Sequence, residues 1–188
     1  KYLMAILVSV AMGILLTMPT SSAAIWVSIV GAMRLADGTI PYALLVAGGA
    51  AVAGCSAHMV GFAVASFREN KIGGLISQGL GTSMLQIPNI MKKPRIMIPE
   101  IIASAVVGPV AVAFGLLCDE TGGGMGTSGL VGVISTISTS INNGVAPWRI
   151  GVGVTLCLFV LPAVICFFVS EFMRKKNWIE FGDMKLDD

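Results

Sequence analysis

Long apolar runs alternate with short polar breaks along this sequence. Three runs, at residues 42–66, 98–117 and 150–172, are long enough to cross a bilayer as helices, since a span needs about 17 to 25 residues. Residues 2–18 form a fourth, shorter candidate. The pattern predicts an all-α integral membrane protein with about four to five spanning helices.

Two further apolar segments contain residues that interrupt helices. The sequence GLGTSML at residues 79–85 returns as GMGTSGL at residues 124–130, with the same residue at five of the seven positions. We call these the first and second GTS motifs. Non-helical backbone at membrane depth is stable only when it is buried in protein or lines a wet cavity. Both motifs therefore predict re-entrant or broken half-helix hairpins.

A third break follows the first apolar run. Pro19, Thr20, Ser21 and Ser22 separate residues 2–18 from a short apolar run that cannot cross a bilayer alone. The pattern predicts either a span followed by a half-helix or one long kinked helix. A hydroxyl from the break can cap the second piece.

Composition agrees with a membrane location. The 188 residues are 55% hydrophobic and 12% charged, with a mean hydropathy of +0.88, whereas soluble domains carry about 25% charged residues. The lipid bilayer is thus the predicted surrounding. The net charge of +2 is too small to indicate a nucleic-acid partner.

The basic residues predict an orientation. They concentrate at residues 68–71, 92–95 and 174–176, whereas the acidic pair at 119–120 stands apart. The basic groups share one side only if residues 73–91 enter and leave the membrane by the same face. Positive loops mark the cytoplasmic side, so the second GTS motif then enters from the opposite side. Such an arrangement is found in transporters built from inverted repeats.

This topology divides the chain into two parts. Residues 1–172 are predicted to form the membrane domain, and residues 173–188 a short tail on the cytoplasmic side.

The two GTS motifs and the first break carry the candidate ligand-binding groups. Free N–H groups at the start of a half-helix favour anions or hydroxyl-rich ligands, and flanking glycines let a ligand approach the backbone. The same hydroxyls can instead cap the half-helices while the glycines permit close packing. The candidates in these segments are Thr20, Ser21, Gly81, Thr82, Ser83, Gly126, Thr127 and Ser128.

Three other polar residues belong to the candidate site. Gln86 and Asn89 can bind sugar hydroxyls, because an amide offers both a donor and an acceptor, or they can satisfy backbone groups freed by Pro88. His58 lies within a predicted span, on a face of small residues. It can bind substrate, relay a proton or donate to a facing carbonyl.

The sequence offers no catalytic motif and predicts no cofactor or metal site. The four cysteines are scattered through the chain. No carboxylate is predicted at mid-membrane, where a proton- or sodium-coupled carrier usually needs one. The acidic residues, which are predicted at span ends or in loops, include Asp37, Glu69, Glu100, Asp119, Glu120 and Glu171.

Four stretches resemble one family of bacterial membrane proteins. They are GLGTSMLQIPNIMKKPRIMIP, CSAHMVGFAVASFREN, GMGTSGLVG and SEFMRKKNWIEFGDMKLDD. They are similar to EIIC-like components of the phosphoenolpyruvate-dependent sugar phosphotransferase system over nearly the whole chain. The resemblance implies the C-terminal part of a longer protein, since members carry further membrane helices before this part.

The resemblance also implies a function. An EIIC component in the bacterial cytoplasmic membrane, commonly a homodimer, binds a sugar and moves it inward. A separate EIIB partner phosphorylates the sugar from a phospho-Cys or phospho-His. The candidate sugar contacts on this basis are Thr82, Ser83, Gln86, Thr127 and Ser128.

The sequence departs from that family pattern in two ways. Better-understood sugar EIICs use a glutamate on a re-entrant loop, and neither GTS motif contains one. No EIIB-like or EIIA-like segment is attached. A membrane permease component is therefore the leading expectation. The alternative is a non-transporting membrane sensor with an EIIC-like fold that binds a small molecule or a lipid.

Overall fold

A computed structural model describes residues 1–187, in which all regular secondary structure is helical and no strand is present. Asp188, the last residue of the predicted tail, lies outside the described residues. The α-helices are α1 (Tyr2–Thr17), α2 (Ser22–Ala32), α3 (Tyr42–Ala65), α4 (Phe67–Ile76), α5 (Ile87–Lys92), α6 (Ile98–Phe114), α7 (Val131–Asn142), α8 (Pro147–Val154) and α9 (Leu161–Lys175).

Three helical stretches are long and apolar enough to cross a membrane: Tyr42–Ala65, Pro94–Phe114 and Pro147–Lys175. The second consists of a 3-10 turn followed by α6, and the third joins α8 and α9 through a π-helical stretch. The helices α1 and α2 are shorter and also apolar. The predicted class of an all-α membrane protein is thus confirmed.

Helix α3 lies at the centre of the bundle, packed against α1, α6 and α9. Small residues let these helices approach closely, as is typical of membrane bundles. A Cβ atom on Gly54 of α3 would collide with the backbone of Ser9 in α1, and a Cβ on Gly108 of α6 would collide with the same residue. The Ser9 hydroxyl donates to the Ser104 carbonyl at 2.6 Å and ties α1 to α6.

The first break reverses the chain. Ser21 caps α2 by accepting a hydrogen bond from the Ala24 N–H at 3.3 Å. The Trp26 indole then donates to the Asp119 carbonyl at 3.1 Å. Cys118, which precedes Asp119, donates its N–H to Leu45 near the start of α3. Helix α2 therefore runs back towards the end of the bundle where α3 starts. The predicted half-helix is present, and Pro19, Thr20 and Ser21 in the turn before it are exposed.

The first GTS motif forms the tip of a hairpin. Asn70 before the motif donates to the Met184 carbonyl at 2.8 Å, and Asn89 after it donates to the Lys185 carbonyl at 2.8 Å. The chain therefore enters and leaves at the same end of the bundle, as predicted for a re-entrant segment. The charged residues at 68–71, for which the sequence predicts a turn, are instead part of α4, which is kinked where Lys71 has a φ of 52°.

The second GTS motif forms the tip of a hairpin from the other end. Leu117 before the motif donates its N–H to the hydroxyl of Ser140 after the motif at 3.0 Å. Both residues lie close to the start of α3, since the adjacent Cys118 N–H donates to Leu45. At its tip, Thr127 donates to the Gly79 carbonyl at 2.6 Å and Ser128 donates to the Gly81 carbonyl at 2.9 Å. The two GTS hairpins thus enter the bundle from opposite ends and meet inside it.

Candidate functional site

A cavity of about 540 Å³ lies where the three chain breaks meet. Its volume falls within the range of about 300–1,000 Å³ that is usual for small-molecule sites. The first break and the two GTS motifs all contribute to its wall. The lining residues are Leu16, Pro19, Thr20, Ser21, Ser22, Ala23, Met59, Gly81, Thr82, Met84, Gly124, Met125 and Ser128.

Four predicted site hydroxyls line this cavity with complementary hydrogen-bonding capacity. Ser21 and Thr82 accept hydrogen bonds from the N–H groups of Ala24 and Met84, so each hydroxyl proton is available to a ligand. Thr20 and Ser128 donate to the backbone carbonyls of Leu15 and Gly81, so their oxygen lone pairs remain available. The wall therefore presents both donors and acceptors, which is what a hydroxyl-bearing ligand requires.

Glycines bring the chain breaks together. Gly126 has a φ of +57°, and a Cβ atom there would lie 2.8 Å from the Cys55 carbonyl carbon. Gly124 lies equally close to the backbone of α2, where a Cβ would come within 2.7 Å of the Ala23 Cα atom. Gly126 is thus placed behind the cavity wall, where it allows the second tip to reach α3.

Three predicted site residues lie outside the cavity wall and hold the tips in place. The Thr127 hydroxyl is buried and donates to Gly79 of the opposite tip. Ser83 is buried and shares a hydrogen bond of 2.8 Å with the Thr17 hydroxyl, which in turn lies 3.1 Å from His58 Nδ1. The partner of His58 is therefore a hydroxyl rather than a carbonyl. Thr17 was not predicted as a site residue. The only feature of the sequence that could have indicated it is its position at the end of α1, close to Pro19.

Replacing Thr127 by Val should destabilise the fold. The change keeps the shape of the side chain and leaves the partly buried Gly79 carbonyl without its donor, which should cost about 1–2 kcal/mol. Thr127→Ser, which keeps the hydroxyl, should cost less. Thermal unfolding of the two variants in the same detergent compares them, and equal midpoints for Val and wild type would show that the contact between the tips contributes little.

The predicted amides Gln86 and Asn89 lie in a second polar cluster, away from the cavity wall. Gln86 Nε2 donates to Gln78 Oε1 at 2.7 Å and to the Met184 carbonyl at 2.9 Å. Asn89 Nδ2 donates to Gln86 Oε1 and to the Lys185 carbonyl, each at 2.8 Å. The amides therefore bind the C-terminal segment rather than backbone groups beside Pro88. Neither Gln78 nor the C-terminal segment that these amides hold was predicted as part of a site from the sequence.

An ion pair holds the same C-terminal segment to the end of the hairpin. Lys93 Nζ lies 2.7 Å from Asp183 Oδ2. Burial alone would raise the pKa of Asp183, but hydrogen bonds from the Glu180 N–H and from Lys93 hold that pKa below its usual range. The hydrogen bond to Asp183 likewise raises the pKa of Lys93. Met184 beside this pair is fully buried, so the segment is packed as well as charge-paired.

Glu100 lies in the first turn of α6, which agrees with the predicted position near a span end. It lies within the span Pro94–Phe114, and its side chain is fully buried. A 3-10 turn that begins at Pro94 precedes α6, so the helical stretch begins one turn earlier than the apolar run indicated. Among residues 1–187, no group of three or more His, Cys, Asp or Glu residues is arranged to hold a metal ion.

Comparison with known proteins gives a family assignment. A family model described as "Phosphotransferase system, EIIC" matches residues 2–186. The match covers nearly the whole chain and includes the first break, both GTS motifs and the C-terminal segment. No curated protein and no solved structure matches the chain significantly.

Proposed function

We propose that this chain, which belongs to the phosphotransferase system EIIC family, binds and translocates a sugar at the cavity between its three chain breaks. As a family member it is a membrane permease component. The observation that carries the proposal is the meeting of two related hairpins from opposite ends of the bundle at a cavity lined by hydroxyls. Transporters place their substrate sites at such junctions of broken helices.

The cavity suits a sugar in two respects. Hydroxyl groups with spare donors and acceptors, at Ser21, Thr82 and Ser128, match the mixed hydrogen-bonding needs of sugar hydroxyls. Met59, Met84 and Met125 supply apolar surface that can pack on the C–H faces of a sugar ring and adapt to it. An acidic or strongly basic ligand has no charged partner among the lining residues.

The arrangement of the hairpins also suits alternating access. The contacts between the tips are few and local, from Thr127 to Gly79 and from Ser128 to Gly81. Moving one hairpin relative to the other would open the cavity towards one end of the bundle while the other hairpin keeps the opposite end closed. Transporters with inverted repeats use this kind of motion.

The partner and the orientation complete the proposal. A separate EIIB-type protein phosphorylates the sugar at the end of the bundle that carries the C-terminal segment and the basic residues at 68–71 and 92–95. That end faces the bacterial cytoplasm, because basic residues concentrate there. Lys93 is paired with Asp183, so Lys92 and Arg95 are the better candidates for contact with EIIB. We expect a homodimer, with a second copy covering part of the exposed apolar surface of α9.

Sugar binding by a variant that lacks the free hydroxyl donors of Ser21 and Thr82 tests the proposed site. Ser21→Ala with Thr82→Val should weaken binding of the preferred sugar, because each lost hydrogen bond contributes about 0.5–1.5 kcal/mol. Together these losses amount to roughly 5- to 150-fold in Kd. Calorimetric titration of the purified full chain against a panel of hexoses and hexitols measures this. Ser28→Ala, whose hydroxyl donates within α2 away from the cavity, is the matched control.

Unchanged affinity in the double variant would remove the cavity from consideration. The alternative function is a membrane sensor with the same fold. A transport assay distinguishes the sensor from the permease. Uptake of the bound sugar by proteoliposomes supplied with the phosphorylated EIIB partner supports the permease. Binding without uptake supports the sensor.

A further inference from the structure

Glu100 has a buried carboxyl group that nothing else in the described chain neutralises. We propose that it is a proton-binding site within the membrane-spanning part of the protein and that the bound proton stabilises the packing of α3, α6 and α9. Its side chain is fully buried. Neither carboxyl oxygen has a hydrogen-bond partner among residues 1–187. The proposal does not depend on the identity of the sugar.

The carboxyl group lies where three helices meet. Gly61 of α3 faces it, and a Cβ atom on that glycine would lie 3.0 Å from the Glu100 Cγ atom and 2.6 Å from the Cys166 Sγ atom of α9. The missing side chain of Gly61 therefore makes the space that the carboxyl group occupies. Any larger residue there would push the carboxyl group or α9 away.

The titratable groups on the surrounding helices do not provide a counter-charge. On α3, His58 lies one turn before Gly61, and its Nδ1 atom is bonded to Thr17. On α9, Cys166 is buried beside the carboxyl group. Arg174 lies eight residues, or about 12 Å of helix, further along α9, where it is bound to Glu69 at 2.8 Å. The helix α1 carries only Tyr2, at its exposed start.

A proton fits this site better than a metal ion does. Ca²⁺ and Mg²⁺ take several oxygen ligands, and Glu100 belongs to no group of three or more His, Cys, Asp or Glu residues among those described. An unpaired ionised carboxylate in an apolar interior costs several kcal/mol. The packed conformation therefore holds Glu100 as the neutral acid.

Release of the proton must then accompany a change in packing. A carboxylate at this position needs water or a cation, and the closed interface between α3, α6 and α9 admits neither. A rise in pH should thus loosen this interface, whereas a neutral isostere should leave it closed. Because the interface includes the central helix α3, the proton would influence any movement that the protein makes during its cycle.

Infrared spectroscopy of the purified full chain tests the protonation state. Wild-type protein at neutral pH should show the C=O stretching band of a buried carboxylic acid. E100Q should lack it, and E171Q, which alters an exposed ion pair with Arg68, should keep it. Absence of the band from the wild type at neutral pH would overturn the proposal, and this measurement requires no variant. Persistence of the full band in E100Q would also overturn it.

Thermal unfolding tests the effect on packing. Between about pH 6 and about pH 9, the wild-type midpoint should fall by at least roughly 2–4 °C more than that of E100Q, which corresponds to about 1 kcal/mol in a chain of this size. The same pH dependence in both proteins would show that Glu100 does not link proton binding to packing. If E100Q does not fold, E100D keeps the acid, and its C=O band should shift in frequency.

Discussion

Gly54→Val is expected to prevent α1 from packing on α3 and to leave little folded protein in the membrane. The new Cβ atom would collide with the backbone of Ser9, including its carbonyl group and Cα atom, and backbone cannot be moved aside as a flexible side chain can. Overpacking of a core typically costs about 1–3 kcal/mol, and a backbone collision at the central helix should lie at or above the upper end of that range.

A matched glycine separates this effect from helix propensity. A Cβ atom on Gly31 of α2 meets nothing within 4 Å, so Gly31→Val should be tolerated. Size-exclusion profiles of the two variants after detergent extraction report the folded fraction. A monodisperse, wild-type-like peak for Gly54→Val would mean that α1 does not lie against α3 as described.

Arg174→Met is expected to destabilise the protein by about 3–5 kcal/mol, the usual cost of removing one partner from a buried ion pair. The Arg174 side chain is 9% exposed and that of its partner Glu69 is fully buried, with 2.8 Å between them. Arg174 also donates to the Ala65 carbonyl at the end of α3. The substitution would leave the buried Glu69 carboxyl group without its counter-charge and would remove the side-chain contact between α9 and the end of α3.

The exposed pair of Arg68 and Glu171 provides the control. It has a similar N–O distance of 2.7 Å, but its side chains are 57% and 24% exposed. Arg68→Met should therefore cost at most about 1 kcal/mol. Adding Glu69→Leu to Arg174→Met should recover part of the loss, because the buried carboxyl group that lost its partner is then replaced by an apolar side chain. Chemical unfolding in mixed micelles compares the variants, and equal costs for the two arginine substitutions would contradict the assignment.

Close packing on several sides explains why α3 consists largely of small and apolar residues. It is contacted along one side by α1 and along others by α6 and α9, and nearly all of it is buried. Small residues such as Gly54 and Gly61 permit those approaches. The ion pair of Glu69 then joins α9 to the segment just after α3 and fixes the end of the bundle beside the first GTS hairpin.

The positions of the breaks and spans followed from sequence because they depend on local chemistry. Proline, glycine and hydroxyl residues interrupt a helix wherever they cluster, and a long apolar run must be a span in lipid. Capping of α2 by a hydroxyl of the first break, and the break at Thr82, could be located for the same reason, whereas the choice of Ser21 as the cap came from the structure. The charge distribution correctly indicated that the first hairpin enters and leaves at one end of the bundle.

The partners of the polar side chains did not follow from sequence. The amides of Gln86 and Asn89 are well suited to a sugar, yet they bind the backbone of Met184 and Lys185. His58 lies on the predicted inward face, but the hydroxyl it meets belongs to α1. These contacts join residues that are 41 to 98 positions apart, and residue type does not determine such pairings.

The sequence by itself determined an all-α membrane protein with two GTS hairpins and hydroxyl-rich breaks, because helix formation and bilayer insertion respond to residues close together in the chain. Only the tertiary structure decided which hydroxyls line the cavity and which hold the tips together. It also decided that Glu100, at the start of an apolar run, lies buried between three helices. Burial depends on how separate helices pack, and that packing is set by the small residues facing one another across the bundle.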